Sequence, residues 1–140
     1  MNTSATTITP VVVAARVLLA LMFILAGFSK FAGLAGTAGY IASKGIPLPM
    51  VVAVLTATLE LVGGLALAIG FQARFAALAL AVFTLLASLL FHNFWAMAPD
   101  QAFVNQLMFM KNLAVAGGLL FVFSFGAGPA SVDARRLAAA

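Results

Sequence analysis

Cysteine is absent from this 140-residue chain, and histidine and acidic residues are nearly so, with one and three respectively. Without cysteine the chain has no disulfide, no thiol relay and no ligands for an iron–sulfur cluster. A lone histidine, His92, excludes bis-histidine haem ligation within one chain, and the widely spaced carboxylates predict no metal site. The basic residues do not form a stripe that could follow phosphates, so nucleic acid is not an expected partner.

Charge of either sign is also scarce, at 7% of residues against 65% hydrophobic. A soluble domain is about one quarter charged, so this chain could not cover its surface in water. A membrane-spanning helix needs about 20 mostly apolar residues, and four such segments fit. We predict an all-α membrane protein, with four transmembrane helices in an antiparallel bundle of two hairpins and the lipid bilayer as its surroundings.

Proline and glycine mark the ends of the predicted spans, which are residues 11–32, 49–70, 74–94 and 105–125. Together they form one domain, 11–126, between a polar N-terminal tail, 1–10, and a C-terminal tail, 127–140. Since the N-terminus lacks lysine and arginine, we expect a retained helix and not a cleaved signal. The Gly- and Pro-rich stretch after the first span predicts a short interfacial helix around Tyr40.

The loop charges favour one orientation. We call the side with both termini and the short link "FQAR" side A, and the other side B. Three arginines, Arg74, Arg135 and Arg136, belong to side A, against Lys30 and Lys44 on side B. The positive-inside rule therefore predicts that side A is cytoplasmic, which gives an N-in, C-in protein.

Glu60 stands alone as a charge in the run "VVAVLTATLELVGGLALAIG". A rise of about 1.5 Å per residue places it near the membrane midplane, in height between Arg16 and Lys111. We expect both cations to approach it, because intramembrane charges usually face the bundle interior in pairs. Lys30 lies near a helix end and is expected to extend towards the interface. A structural role, in which these charges only lock the helices together, is as well supported as a functional one.

Each span has one polar stripe, such as Thr84, Ser88 and His92 at intervals of four residues in the third. If the stripes converge, three cations, Arg16, Lys30 and Lys111, face one buried anion. An excess of buried positive charge requires an anion, water or a neutral lysine. This predicts a net cationic pocket open to side B, suited to a carboxylate, a phenolate-like or quinone oxygen, or a lipid head group.

Several motifs resemble the DoxX family of small bacterial membrane proteins: "ARVLLALMFILAGFSKFAG", "GYIASKGIPLP", "LELVGGLALAIGFQAR", "FHNFW" and "KNLAVAGGLLF". The resemblance covers residues 14–126, and the positions that match the family pattern are Arg16, Lys30, Glu60, Arg74, His92, Lys111 and Asn112. It implies a four-helix inner-membrane protein. Some relatives are linked to membrane redox systems, as a subunit of a thiosulfate:quinone oxidoreductase or beside superoxide dismutase and a thiosulfate sulfurtransferase.

Three functions stay open at this point. The first is an accessory subunit that contacts quinone or a partner protein in a membrane redox complex. The second is a structural or assembly factor without a small ligand. The third is binding or transport of an anion or weak acid, for which four helices would need a homo-oligomer. There is no self-contained catalytic constellation, and the candidate ligand-binding or polar-core residues are Arg16, Lys30, Glu60, His92, Lys111 and Asn112.

Overall fold

The computed structural model describes residues 3–140, with side chains from Thr9 onwards. It contains helices and no strand within that range: α1 (Thr3–Ala32), α2 (Leu34–Ser43), α3 (Pro49–Ile69), α4 (Ala73–Phe91), α5 (Pro99–Phe125) and α6 (Val132–Ala138), with a 3₁₀ turn over Phe94–Ala96. Four helices, α1, α3, α4 and α5, are long and apolar enough to cross a membrane. The predicted all-α fold with four spans is therefore confirmed.

Several helix ends differ from the sequence prediction. Helix α1 begins at Thr3, so Pro10 lies inside the helix and residues 3–10 do not form a separate tail. Helix α5 begins at Pro99 and not near 105, because Pro at the first turn and Asp100 beside it are both favourable at a helix start. The predicted C-terminal tail contains α6, which Ser131 caps by accepting a hydrogen bond from the Ala134 amide.

The four spans pack as two hairpins, α1 against α3 and α4 against α5, which meet through α3 and α4. Each span contributes one large side chain to the centre of the bundle. These side chains are Phe23, Leu67, Leu80 and Leu119, all at most 1% exposed. Large apolar side chains elsewhere on the spans, such as Leu18, Leu55 and Phe121, point outwards and are more than half exposed. The outer surface is therefore apolar, as contact with lipid requires.

Helix α2 covers part of side B. Ala38 and Ile41 on its inner face are buried against Ala53 of α3. The ring of Tyr40 lies 5.3 Å from that of Phe91, between ring centres. This is the short helix expected around Tyr40, and it lies beside the side-B ends of α3 and α4.

The C-terminal segment closes side A. Both carboxylate oxygens of Asp133 accept hydrogen bonds from the start of α4, from the Gln72 amide at 2.8 Å and the Ala73 amide at 2.9 Å. The Asp133 amide in turn donates to the Gly70 carbonyl. These contacts satisfy backbone groups that helix ends leave without partners, and they hold α6 against the bundle.

Candidate functional site

Arg16 belongs to the side-A closure and not to the membrane centre. Its guanidinium donates to the carbonyls of Ala68 at 3.2 Å and Ala130 at 2.8 Å, and also to that of Ala127. The expected approach of Arg16 to Glu60 is therefore wrong. The last carbonyls of a helix lack intrahelical partners and carry negative partial charge, so the end of α3 and the segment after α5 hold this buried cation.

Lys30 is the residue that pairs with Glu60, with 2.6 Å between Lys30 Nζ and Glu60 Oε2. The Glu60 side chain is 7% exposed and that of Lys30 is 30% exposed. The expectation that Lys30 extends to the interface is also wrong, because its side chain turns inwards to Glu60. A buried carboxylate without a counter-ion would be severely destabilising, and Lys30 on α1 lies close enough to supply that charge.

A cavity of about 290 Å³ adjoins this pair, and side chains from the four spans and α2 form its wall. Five of the six candidate residues line it: Lys30, Glu60, His92, Lys111 and Asn112. Arg16 does not. The structure thus gathers residues from α1, α3, α4 and α5 that are far apart in the sequence into one site in the side-B half of the bundle.

Lys111 contributes a positive charge without an acidic partner. In residues 9–140 the Lys30–Glu60 contact is the one ion pair formed, so Lys111 faces the cavity with no carboxylate within 4.0 Å. With His92 neutral, the charged side chains of the wall sum to +1, from two lysines and one glutamate. The predicted cationic excess is smaller than expected because Arg16 lies elsewhere.

Thr84 adds an unpaired hydroxyl to the same wall. Its side chain is 3% exposed, and its Oγ1 has no hydrogen-bond partner within the described residues. Buried hydroxyls are nearly always hydrogen-bonded in folded proteins. Thr84 also lines the cavity, although its hydroxyl oxygen is buried in the wall and would have to turn towards the cavity to bond a ligand or water there.

The His92 ring is oriented by a neighbouring amide. Its Nδ1 lies 3.0 Å from Oδ1 of Asn105, and the Asn105 amide nitrogen donates to the Gln101 carbonyl. The amide oxygen is then the acceptor, so Nδ1–H of His92 donates. The ring is thereby fixed at the side-B end of the cavity wall.

Sequence reasoning missed the aromatic part of the wall, which comprises Tyr40, Phe83 and Phe91. Tyr40 is expected on a short interfacial helix, and Phe83 and Phe91 are not among the six candidate residues. The signal that could have found two of them is spacing: Phe83, Ala87 and Phe91 follow one another at intervals of four residues. That row adjoins the polar row of Thr84, so the two face the same space.

Comparisons with known proteins identify relatives of the chain. The chain is 44% identical over 125 residues to inner membrane protein YqjF of Escherichia coli, with 87% of this chain and 88% of that protein covered. It is 35% identical over 121 residues to inner membrane protein YphA of the same organism, with 86% of each covered. A more distant match, 28% identical, is the ER-derived vesicles protein ERV29 of Saccharomyces cerevisiae, which has 33% of its length covered. No solved structure matches the chain significantly.

A match to a family model identifies the family of this chain. The DoxX family model matches residues 11–93, which contain α2, α3, α4 and most of α1. Both of the bacterial relatives above are named as inner membrane proteins. Four apolar spans, this match and these relatives together show that the chain belongs to the DoxX family and is an integral inner-membrane protein.

Proposed function

We propose that this protein is an accessory subunit of a quinone-linked membrane redox system, and that its side-B cavity receives a quinone head group. One observation carries the proposal. The cavity combines an uncompensated ammonium, an unpaired hydroxyl and aromatic rings, from Lys111, Thr84, Phe83 and Phe91. A quinone head group is a flat ring with carbonyl oxygens that accept hydrogen bonds, so it matches both kinds of wall.

The size of the cavity determines which part of a quinone it can hold. Ligand pockets usually measure roughly 300–1,000 Å³, and a volume of about 290 Å³ lies at the lower end of that range. It accommodates a single substituted ring and leaves an isoprenoid tail to extend into the surrounding lipid. Lys111 and Asn112 on α5 would supply donors to one carbonyl, and Thr84 on α4 to the other.

We assign the electron transfer to and from the quinone to a partner protein. The chain has no cysteine and a single histidine, which Asn105 already orients. We therefore propose that a partner enzyme reduces or oxidises the bound quinone, while this subunit positions it. The redox-linked relatives implied by the family resemblance support such an arrangement.

A second candidate function rests on Lys111 alone. A cation that faces a cavity without an acidic partner also suits the carboxylate of a weak organic acid. Such a ligand would pair with Lys111 as Glu60 pairs with Lys30. The two candidates differ in ligand charge, since a quinone is neutral and the acid anion is not.

Ligand binding to the purified protein in lipid nanodiscs tests the proposal. Trp95 is the sole tryptophan, and its ring packs edge-on against Phe109 beside the side-B end of α5. We expect saturable quenching of its fluorescence by a short-chain ubiquinone or menaquinone. Lys111→Met should weaken binding roughly tenfold and Thr84→Val about fivefold, since each removes one donor, the first of them charged.

The matched control removes a cation far from the cavity. Arg135→Met lies on α6 at side A, so it should leave the quinone affinity unchanged. An absence of saturable quenching with both quinone classes would overturn the quinone proposal. Binding of benzoate that Lys111→Met abolishes, with no response to quinones, would support the second candidate in its place.

A further inference from the structure

A second cavity, of about 460 Å³, opens on side A between the start of α4 and the C-terminal segment. Nothing in the side-B site involves it, because the two lie at opposite ends of the bundle and share no lining residue. Its wall contains two arginines, Arg74 and Arg136, and one carboxylate, Asp133. The charged side chains therefore sum to +1.

Arg74 presents one edge of its guanidinium to this cavity. Its Nη1 donates to the carbonyls of Phe123 and Ser124, both at 2.8 Å, and so holds the group against the end of α5. Within the described residues its Nε and Nη2 make no hydrogen bond to protein. These two nitrogens form the fork with which arginine binds two oxygens of one phosphate. The part of Arg74 best suited to an anion is thus fixed in place and unused.

Gly126 keeps that edge open. A Cβ at this position would lie 3.6 Å from both Nε and Nη2 of Arg74, in the space an approaching anion would use. Its φ of +84° is one that other residues rarely adopt, so a side chain is disfavoured there. The backbone turn after α5 therefore leaves a gap directly beside the free fork.

The carboxylate in the wall lowers the net charge of the cavity to +1, but it forms no ion pair with either arginine within the described residues. Both oxygens of Asp133 are already bound to the amides of Gln72 and Ala73. Arg136 lies over the ring of Phe71, with its Cζ 5.4 Å from the ring centre, and forms no ion pair within the described residues. The cavity therefore offers an added anion two arginines without ion pairs and a net charge of +1.

The edge of the cavity is apolar and exposed. Phe75, Phe125 and Leu137 line it and are 72%, 77% and 81% exposed. Phe75 and Phe125 lie at the side-A ends of α4 and α5, where the hydrocarbon of a bilayer gives way to its head groups, and Leu137 lies on α6 beside them. A free phosphate ion would gain nothing from these side chains, whereas acyl chains would cover them.

We propose that this cavity binds the phosphate group of an anionic phospholipid. The Nε and Nη2 atoms of Arg74 hold two phosphate oxygens, Arg136 adds a second positive charge, and the acyl chains lie over Phe75 and Phe125. Basic pockets at the cytoplasmic ends of transmembrane helices bind such lipids in other membrane proteins. The lipid then links α4, α5 and α6 from outside the bundle.

Native mass spectrometry of the full chain tests this site. The protein is reconstituted in nanodiscs of phosphatidylcholine with a minor fraction of phosphatidylglycerol, and the retained lipid is counted after release. We expect one phosphatidylglycerol molecule to remain bound. Arg136→Gln should reduce its retention about fivefold, the change that corresponds to about 1 kcal/mol for one arginine near a membrane surface.

The neighbouring arginine is the matched control. Arg135→Gln makes the same change of charge on the same helix, but Arg135 does not line the cavity, so retention should stay at the wild-type level. Equal losses from the two variants would mean a general attraction to anionic lipid and would overturn the site. Arg136→Gln leaves the bonds of Arg74 to α5 intact, so the test does not depend on a variant that disturbs the fold.

Competition by inorganic phosphate separates the two sources of a phosphate group. Millimolar phosphate that leaves the bound phosphatidylglycerol in place supports the lipid. Displacement of the lipid by phosphate alone would overturn the lipid assignment, since the apolar edge would then contribute nothing. None of these measurements involves a quinone, so a failure here leaves the proposed function untouched.

Discussion

Glu60 is a buried charge that constrains the packing of this bundle. Its carboxylate is surrounded by apolar helices, and the Lys30 ammonium at 2.6 Å is the charge that balances it. Breaking a buried pair by removing one partner usually destabilises a protein by about 3–5 kcal/mol. The 30% exposure of Lys30 and the adjoining cavity reduce the effect here, because water can reach the pair.

We predict that Lys30→Met lowers the free energy of unfolding by about 2 kcal/mol, less than for a fully enclosed pair. The double variant Lys30→Met, Glu60→Met should recover most of this loss, since no charge is then left unpaired. Unfolding in mixed micelles, followed by circular dichroism, measures both. Lys44→Met is the control, because Lys44 lies over the Tyr40 ring at 5.9 Å and forms no ion pair. If Lys30→Met were as stable as the wild type, Lys30 would not be the residue that neutralises Glu60.

The identity of the partner of Glu60 illustrates what the sequence could predict for single residues. Helical rise and periodicity located Glu60 near the middle of a span and put Lys111 and His92 on polar stripes, whereas Asn112 was a candidate through the family resemblance alone. They could not decide between Arg16 and Lys30, because height along a helix says nothing about competing acceptors. Two of the three carbonyls that hold Arg16 come from the segment after α5, which had been expected to be only a tail.

At the scale of helices, the contact of α1 with α3 depends on two glycines. A Cβ on Gly27 would lie 2.6 Å from the Leu61 amide nitrogen and 2.9 Å from the Ala57 carbonyl oxygen. A Cβ on Gly64 would lie 3.0 Å from the amide nitrogen of Ile24. Since backbone atoms cannot rotate away as side chains do, these two helices approach as closely as the absence of a side chain allows.

We predict that Gly27→Ala destabilises the protein by about 1–3 kcal/mol, because the new methyl group forces α1 away from α3. Gly117→Ala is the matched control on α5, where a Cβ would meet nothing within 4 Å. That variant should be neutral, or more stable by up to about 1 kcal/mol through better helix propensity. Thermal unfolding in one detergent compares them. Equal melting temperatures for the two variants would contradict the close contact of α1 and α3.

The packing of the helices could be predicted from the sequence better than the positions of their ends. Gly27 lies three residues before Lys30 and Gly64 four residues after Glu60, so each shares a helix face with an inward charge, and both lie against neighbouring backbone. The helix α6 could not be found by hydropathy, because it is short and its order comes from tertiary contacts. Asp133 holds it to the start of α4, and Ser131 caps it with a hydrogen bond to the Ala134 amide. Neither contact leaves a periodic signal in the sequence.

Over the whole molecule, the two ends of the bundle differ in chemistry. Side A is closed by the C-terminal segment, where Arg16 and Arg74 bind backbone carbonyls. The side-B half keeps an open cavity with a polar and aromatic wall. A quinone would therefore reach its proposed cavity from the side-B half, whereas the separate side-A cavity is the one proposed to bind a lipid phosphate.

The difference in basic residues between side A and side B predicts the orientation of the protein in the membrane. Arg74, Arg135 and Arg136 lie at side A. At side B, Lys30 pairs with Glu60, which leaves Lys44 as the unpaired cation of the described loops there. This difference favours side A as the cytoplasmic side, because basic loops are retained there.

Single cysteines can report this directly, since the natural chain has none. Ala42 on α2 is exposed at side B, and Ala139 after α6 is exposed at side A. We expect a membrane-impermeant maleimide added to spheroplasts to label Ala42→Cys at once, and Ala139→Cys only after the membrane is permeabilised. The unsubstituted chain controls for labelling without a thiol. The reverse pattern would place the side-B cavity towards the cytoplasm, and any redox partner that uses it would then have to approach from within the cell.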